Sequence, residues 1–211
     1  MWRIIIIFIV AFSIIGCQNE VIQDPNTESK LQYIEPTDSN VIVRILNDAM
    51  LGLEIYSDKD LVVDTEYYRN GNIQRGDVVY FSYPEDILLQ YPALEQRQIL
   101  RVIGLRGEKI SMKQGQIFIN GNKLDTFYGK DMNNDGKDLR KRLKNPELSD
   151  NEKENLQNLI QIVESENINE QFISEGKVFL VGDNRMQAVD SIIIGPIAEE
   201  NIIGKVVGYK N

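Results

Sequence analysis

A chain of 211 residues that is 42% hydrophobic and 26% charged has the composition of an ordinary folded domain, which excludes disordered and fibrous classes. It contains no histidine and one cysteine, Cys17. Catalytic triads, Cys-His pairs, imidazole or thiolate-rich metal sites and internal disulfides are thereby excluded, leaving Ser-Lys chemistry, carboxylate chemistry or none. A net charge of −9 argues against nucleic acid as a partner and against purely electrostatic attachment to an anionic membrane.

The chain opens with Met1-Trp2-Arg3, followed by an apolar run from Ile4 to Ile15 broken only by Ser13, then Gly16-Cys17. A short basic region, an apolar stretch of this length and a small residue before the cut are the parts of a secretory signal. As a helix the apolar run would reach only ~18 Å, against a bilayer core of ~30 Å. Ile14-Ile15-Gly16-Cys17 resembles a bacterial lipobox, which implies residues 1–16 as a lipoprotein signal peptide, lipidation of Cys17 and attachment to the membrane through that lipid.

Residues 17–40 are polar, carry Pro25 and Pro36, and read as a tether. From Val41 onward β-branched and aromatic residues gather in short runs: Val41 to Ile45, Leu61 to Val63, Val78 to Phe81, Ile99 to Ile103, Lys109 to Met112, Gln116 to Ile119, Lys177 to Val181 and Gly204 to Tyr209. Turn signals such as Arg75-Gly76-Asp77 and Asn120-Gly121-Asn122 separate them. Many short strands with no helices between them predict a mostly β domain over 41–211, an antiparallel barrel or sandwich.

The stretch at about 130–169 is highly charged and helical in period, and it is expected to be a helical insertion. Ser149 and Glu152 have capping-box spacing, so a helix should begin there. Leu156, Leu159, Ile160 and Val163 then form one stripe, expected to pack on the β body, with a partner-docking face as the alternative. Asp131 to Gly136 matches the first half of a calcium loop, yet the twelfth position is Arg142, where a carboxylate is needed. A solvated turn is the expectation, and no metal or cofactor is indicated.

Three segments along the body carry a family resemblance: Arg75 to Phe81 (RGDVVYF), Leu100 to Glu108 (LRVIGLRGE) and Gly176 to Ser191 (GKVFLVGDNRMQAVDS), supported by Gln116 to Asn122 (QIFINGN) and the tail Glu200 to Lys205. In order and spacing they resemble the boxes of type I signal peptidases. The resemblance implies a mostly β, signal-peptidase-like catalytic domain on the extracytoplasmic face of the bacterial cytoplasmic membrane. It also implies a groove that takes an extended peptide as an added strand, with Ile45, Met50, Gly182 and Asp183 along it.

In that family a serine attacks the scissile carbonyl, a buried neutral lysine acts as its base, and a backbone N–H at the serine helps to stabilise the oxyanion. Here the serine position falls at Ala49, the lysine position at Leu100 and the supporting serine of the Ser-x-Asp-Ser-Arg segment at Ala188, while that segment's final arginine falls at Ile192. No catalytic residue is intact. Losing a member of such a unit costs about 10⁶ in rate, so peptidase activity is not expected. An unconventional site would have to recruit Ser57 with Lys59, or Asp48 beside Ala49.

Three readings follow from the resemblance. The first is a silent, lipid-anchored relative that binds extended segments of exported proteins, or another envelope protein, as a chaperone-like accessory. The second is an active signal peptidase with an unconventional site. The third is a lipoprotein whose partner surface is the helical insertion. Asp183, Arg185, Asp190 and Ser191 are expected to shape the loop beside the groove.

Overall fold

The structure, a computed structural model, describes residues 20–25, 27, 29–53, 56–130 and 136–211. Cys17 and Asp131 to Asp135 lie outside the described residues. In chain order the elements are β1 (Val21–Ile22), β2 (Tyr33–Ile34), β3 (Asn40–Val43), β4 (Leu61–Asp64), β5 (Val78–Ser82), α1 (Glu85–Gln90) and β6 (Arg97–Gly104). They continue with β7 (Lys109–Lys113), β8 (Gln116–Ile119), β9 (Asn122–Leu124), α2 (Gly136–Leu143), α3 (Asp150–Ser165), β10 (Ile168–Phe172), β11 (Lys177–Val181), α4 (Ser191–Ile194), β12 (Ile197–Ala198) and β13 (Ile202–Lys210).

The domain is mostly β, as the spacing of apolar runs predicts. One sheet has the order β12-β11-β6-β5-β13-β4-β3, with the short β2 also paired to β13. The other runs β1-β9-β8-β7-β10. Pairing is antiparallel except for β1 with β9 and β2 with β13. Two-residue turns close the small sheet, and Gln114-Gly115 and Asn120-Gly121 all have positive φ, the geometry whose twist suits tight hairpins.

β6 is buried along almost its whole length, which is why apolar residues fall at adjacent positions, Ile99-Leu100 and Val102-Ile103 on either side of the buried Arg101, without alternation. Its first half joins a core with β4, β5 and β13. Its end, through Ile103, meets Phe179 and Val181 of β11 and the inward residues Ile110, Ile117, Ile119 and Leu124 of the small sheet. The two sheets are thus held by one strand pair contributing to both cores.

Two expectations change. The stretch read as a tether is drawn onto the body: β1 extends the small sheet and β2 the large one, and between them the Asp24 carboxylate accepts a hydrogen bond from the Tyr128 hydroxyl. Extended backbone beside an open sheet edge finds hydrogen bonds there, whatever the polarity of its side chains. The second change concerns the insertion. α3 begins with the predicted capping box, Ser149 Oγ accepting from the Glu152 N–H at 3.3 Å and Glu152 Oε2 accepting from the Ser149 N–H at 2.8 Å. Its stripe of Leu156, Ile160 and Val163, however, packs with Leu139 of α2 into a separate small core. The helices cover most of each other's apolar faces, and the stripe meets the β body at its end, where Val163 lies beside Gly115 of the β7–β8 turn. The insertion also ends earlier than 169, because Ile168–Phe172 is a strand paired with β7. Arg142 is exposed on α2.

Among the described residues, no helix is long and apolar enough to cross a membrane.

Candidate functional site

Between β3 and β4 the chain makes a tight turn in which the Leu51 N–H donates to the Asp48 carbonyl at 3.0 Å. This turn points Ala49 and Met50 into the core, at 3% and 2% exposure. The Asn184 N–H donates to the Ala49 carbonyl at 3.0 Å, which ties this turn to the loop after β11. A Cβ placed on Gly182 would lie 2.5 Å from the Ala188 Cβ and 2.7 Å from the Ala49 oxygen. Only glycine allows so close an approach, and the approach brings positions 49 and 188 together against one backbone segment.

Leu100, from the middle of β6, belongs to the same buried cluster as Ala49, Met50 and Ala188. The three positions at which the resemblance places nucleophile, base and supporting hydroxyl therefore share one apolar core region. None of the three side chains has an atom that can attack, accept a proton or donate a hydrogen bond. The Ala49 N–H is also occupied, donating to Asn47 Oδ1 at 3.1 Å. An amide held in this way is not directed at an external oxyanion.

The substitute pair of Ser57 and Lys59 is not brought together. Ser57 Oγ donates to Asp48 Oδ1 at 3.4 Å, a long contact on the outside of the turn, while Lys59 lies over the Tyr209 ring, its Nζ 4.5 Å from the centroid. Lys59 is thus held against an aromatic face and not against the Ser57 hydroxyl.

The loop after β11 is held by buried charge. Both Asp183 oxygens accept from Arg101, at 2.8 Å from Nε and 2.7 Å from Nη2. Arg101 also donates to the Gly76 carbonyl at 2.8 Å and to the Tyr56 hydroxyl at 3.3 Å. Burial works against the charge on Arg101, and the Asp183 carboxylate overrides it, holding the guanidinium above its ordinary value. Asp190 accepts from the Gly182 N–H at 3.0 Å and the Ile192 N–H at 2.9 Å, and Ser191 Oγ accepts from the Leu180 N–H at 2.9 Å. Burial pushes the Asp190 carboxyl up to about 7 against these two amides, with Arg185 also favouring the charged form and Glu166 opposing it. Arg185 Nη1 donates to the Gly115 carbonyl at 2.6 Å, which links the loop to the β7–β8 turn.

The expected groove residues separate on this geometry. Ile45 lines an open cavity of about 440 Å³ with Ile42, Val43, Arg44, Tyr80, Glu95, Gln96 and Arg97. Met50, Gly182 and Asp183 do not line it: Met50 is core, Gly182 is closed off by Ala49 and Ala188, and Asp183 is committed to Arg101. The cavity runs beside β3, an edge strand paired with β4 alone among the described residues. Sequence reasoning missed its far wall, Tyr80 and Glu95 to Arg97, because nothing local marks residues that face another segment only after β5 and β6 pair. It also missed Asn47, whose position two residues before Ala49 is an Asx-type signal that was legible.

Residues 53–209 match the family model described as signal peptidase, peptidase S26. Signal peptidase I V of Bacillus subtilis (strain 168) is 30% identical over 147 residues, covering 69% of this chain and 71% of its own length. Signal peptidase I of Rickettsia canadensis (strain McKiel) is 33% identical over 141 residues, 63% of this chain and 49% of that protein. Signal peptidase IB of Staphylococcus aureus (strain Mu50 / ATCC 700699) is 28% identical over 141 residues, covering 66% of this chain and 61% of its own. A crystal structure of a signal peptidase I from Enterococcus faecalis V583 aligns with a TM-score of 0.39 and 24% identity, over 64% of this chain and 96% of that one. The family match begins at residue 53, after Ala49, and includes Leu100 and Ala188.

Proposed function

The chain belongs to the signal peptidase family, peptidase S26, and from that membership we propose that it is a catalytically silent member that binds extended peptide segments without cutting them. The observation that carries the reading is the apolar cluster of Ala49, Leu100 and Ala188, where the family resemblance calls for a nucleophile, a base and a hydroxyl. An extended segment of an exported protein, or of another envelope protein, adds to the free edge of β3. Backbone hydrogen bonds supply the affinity, and the cavity lined by Ile42, Ile45 and Tyr80 receives a small side chain. The cluster of Ala49, Leu100 and Ala188 holds no buried ammonium or hydroxyl whose desolvation would oppose a bound, uncut segment. The lipobox-like Ile14 to Cys17 supports attachment by a lipid on Cys17, with the domain on the extracytoplasmic face of the cytoplasmic membrane.

The test uses the full chain and a variant carrying Ala49→Ser, Leu100→Lys and Ala188→Ser. Each is incubated with a substrate bearing a signal peptide that ends in Ala-x-Ala. Mass spectrometry reads cleavage, and fluorescence anisotropy of the labelled peptide reads binding. Binding without cleavage by the unaltered chain is the predicted result, and a cut by the restored variant alone would add that the bound segment reaches positions 49, 100 and 188. Cleavage by the unaltered chain would overturn silence, and absence of binding by both would overturn the peptide-binding role.

A further inference from the structure

Behind the loop that carries Gly182, a cavity of about 190 Å³ lies between α4, the β7 strand and the segment joining α3 to β10, lined by Met112, Glu166, Asn167, Ile168, Arg185, Asp190, Ile192 and Ile193. Its lining is of two kinds. Met112, Ile168, Ile192 and Ile193 make an apolar channel, and Ile193 is 55% exposed at the outside. Asp190, at 1% exposure, stands among the charged groups with Arg185 and Glu166.

We propose that this cavity is a binding site for a cationic side chain, a guanidinium or alkylammonium on an aliphatic stem, seated with its charge on Asp190. Three observations carry it. Two carboxylates, Glu166 and Asp190, stand against one guanidinium, Arg185, so the lining has one negative charge in excess when Asp190 is ionised. Arg185 Nη1 donates to the Gly115 carbonyl and lies 3.6 Å from Met112 Sδ, so its guanidinium is anchored on the β7 side of the cavity, where its charge favours the ionised form of Asp190. Ile192 stands where the resembling segment ends in arginine, so a short apolar side chain and an adjoining void are found where this segment otherwise carries a long cation. The channel of isoleucine and methionine suits the methylene stem, as long cationic side chains bury their stems along apolar surface and keep the charge on a polar group.

The chemistry of Asp190 fits a guest of this kind. Its carboxylate accepts only amide N–H groups, from Gly182 and Ile192, among its hydrogen bonds, which leaves acceptor positions on both oxygens. Burial already raises the cost of its charge, and a guanidinium placed beside it would offset that cost with charge-assisted hydrogen bonds. Because Asp190 holds the Gly182 amide, the guest sits one residue away from the backbone that packs on Ala49. A peptide or partner bearing arginine or lysine would therefore engage the same loop from its rear side. This site is independent of whether the β3 edge binds peptide.

The test is calorimetric titration of the full chain at pH 7.5 with n-propylguanidinium and with n-propylurea, its neutral counterpart of similar shape. The charged probe should bind at least tenfold more tightly. Ile192→Arg carries its own guanidinium to Asp190, so it should fold with an unfolding midpoint at or above that of the parent and should lose the probe's binding. Asp190→Asn should lose it as well, and if that variant does not fold, Ile192→Arg decides. Equal affinity for the two probes, no binding of either, unchanged binding in Ile192→Arg, or an unfolded Ile192→Arg would each overturn the proposal.

Discussion

Arg101 and Asp183 meet through two parallel hydrogen bonds of 2.8 and 2.7 Å, with side chains 3% and 2% exposed, across the β6–β11 seam. The pair lies next to the alanine and leucine positions of the candidate site, since Arg101 follows Leu100 and Asp183 follows Gly182. It fixes the two segments that bring those positions together. Removing one partner strands the other as an uncompensated buried charge, whereas removing both does not. Asp183→Asn should therefore lower stability by about 3–5 kcal/mol in urea unfolding. The double variant Arg101→Met, Asp183→Leu should lose much less. Equal losses in the two would show that the pair's charge is not what matters.

Leu100→Lys by itself places an ammonium in a fully apolar cluster. Burial lowers a lysine pKa by up to about 3–5 units, and each unit is about 1.4 kcal/mol. The folded value then lies below the unfolded one, so the penalty is full at pH below the folded value and shrinks as pH rises toward 10. The expected result is a loss of several kcal/mol at pH 7 that is largely recovered at pH 10, read from thermal unfolding at both pH values. A loss that does not change with pH would point to steric overpacking instead.

Ser149 caps α3 on a helical pair with its own small core. Ser149→Ala should cost about 1 kcal/mol, and the cost should stay local to that pair. Hydrogen exchange should quicken at residues 150–165 and remain unchanged in β5 and β6. Faster exchange throughout the β sheets would mean that the insertion and the body unfold as one unit.

The Asp190 carboxyl is raised from 3.8 to about 7 on folding, chiefly by burial. Between those values the folded protein keeps a proton that the unfolded chain has released, so this group lowers stability as pH rises from about 4 to about 7. The amides of Gly182 and Ile192 and the charge of Arg185 work against the shift, and Glu166 adds to it. At about 1.4 kcal/mol per unit the loss approaches a few kcal/mol. Asp190→Asn should remove this part of the slope, so the difference in urea midpoint between parent and variant should move in favour of the variant as pH climbs from 4.5 to 7.5. A constant difference would show that Asp190 is ionised in the folded protein throughout.

Much of the fold was legible because its causes are local. The β-branched runs from Leu61 to Val63 and Lys177 to Val181 are strands with nearly those limits, the Asn120-Gly121 turn has the positive φ its residues favour, and the Ser149–Glu152 box caps a helix. What failed was partner choice. The stripe of Leu156, Ile160 and Val163 is apolar on one face whether it packs on a sheet or on α2, and periodicity carries no information about which surface is nearest.

The candidate site divides along the same line. By itself the amino-acid order determined which atoms are absent: no hydroxyl at Ala49 or Ala188, no amine at Leu100, and no histidine anywhere in the chain. Those are facts of composition and need no coordinates. Only the tertiary structure decided that residues as far apart as 49, 100 and 188 share one apolar cluster, that Asp183 is spent on Arg101 and not on a groove, and that a void adjoins Ile192. Contacts between distant segments follow from which strands pair and how closely their backbones approach, and that is settled by the packing of the whole chain.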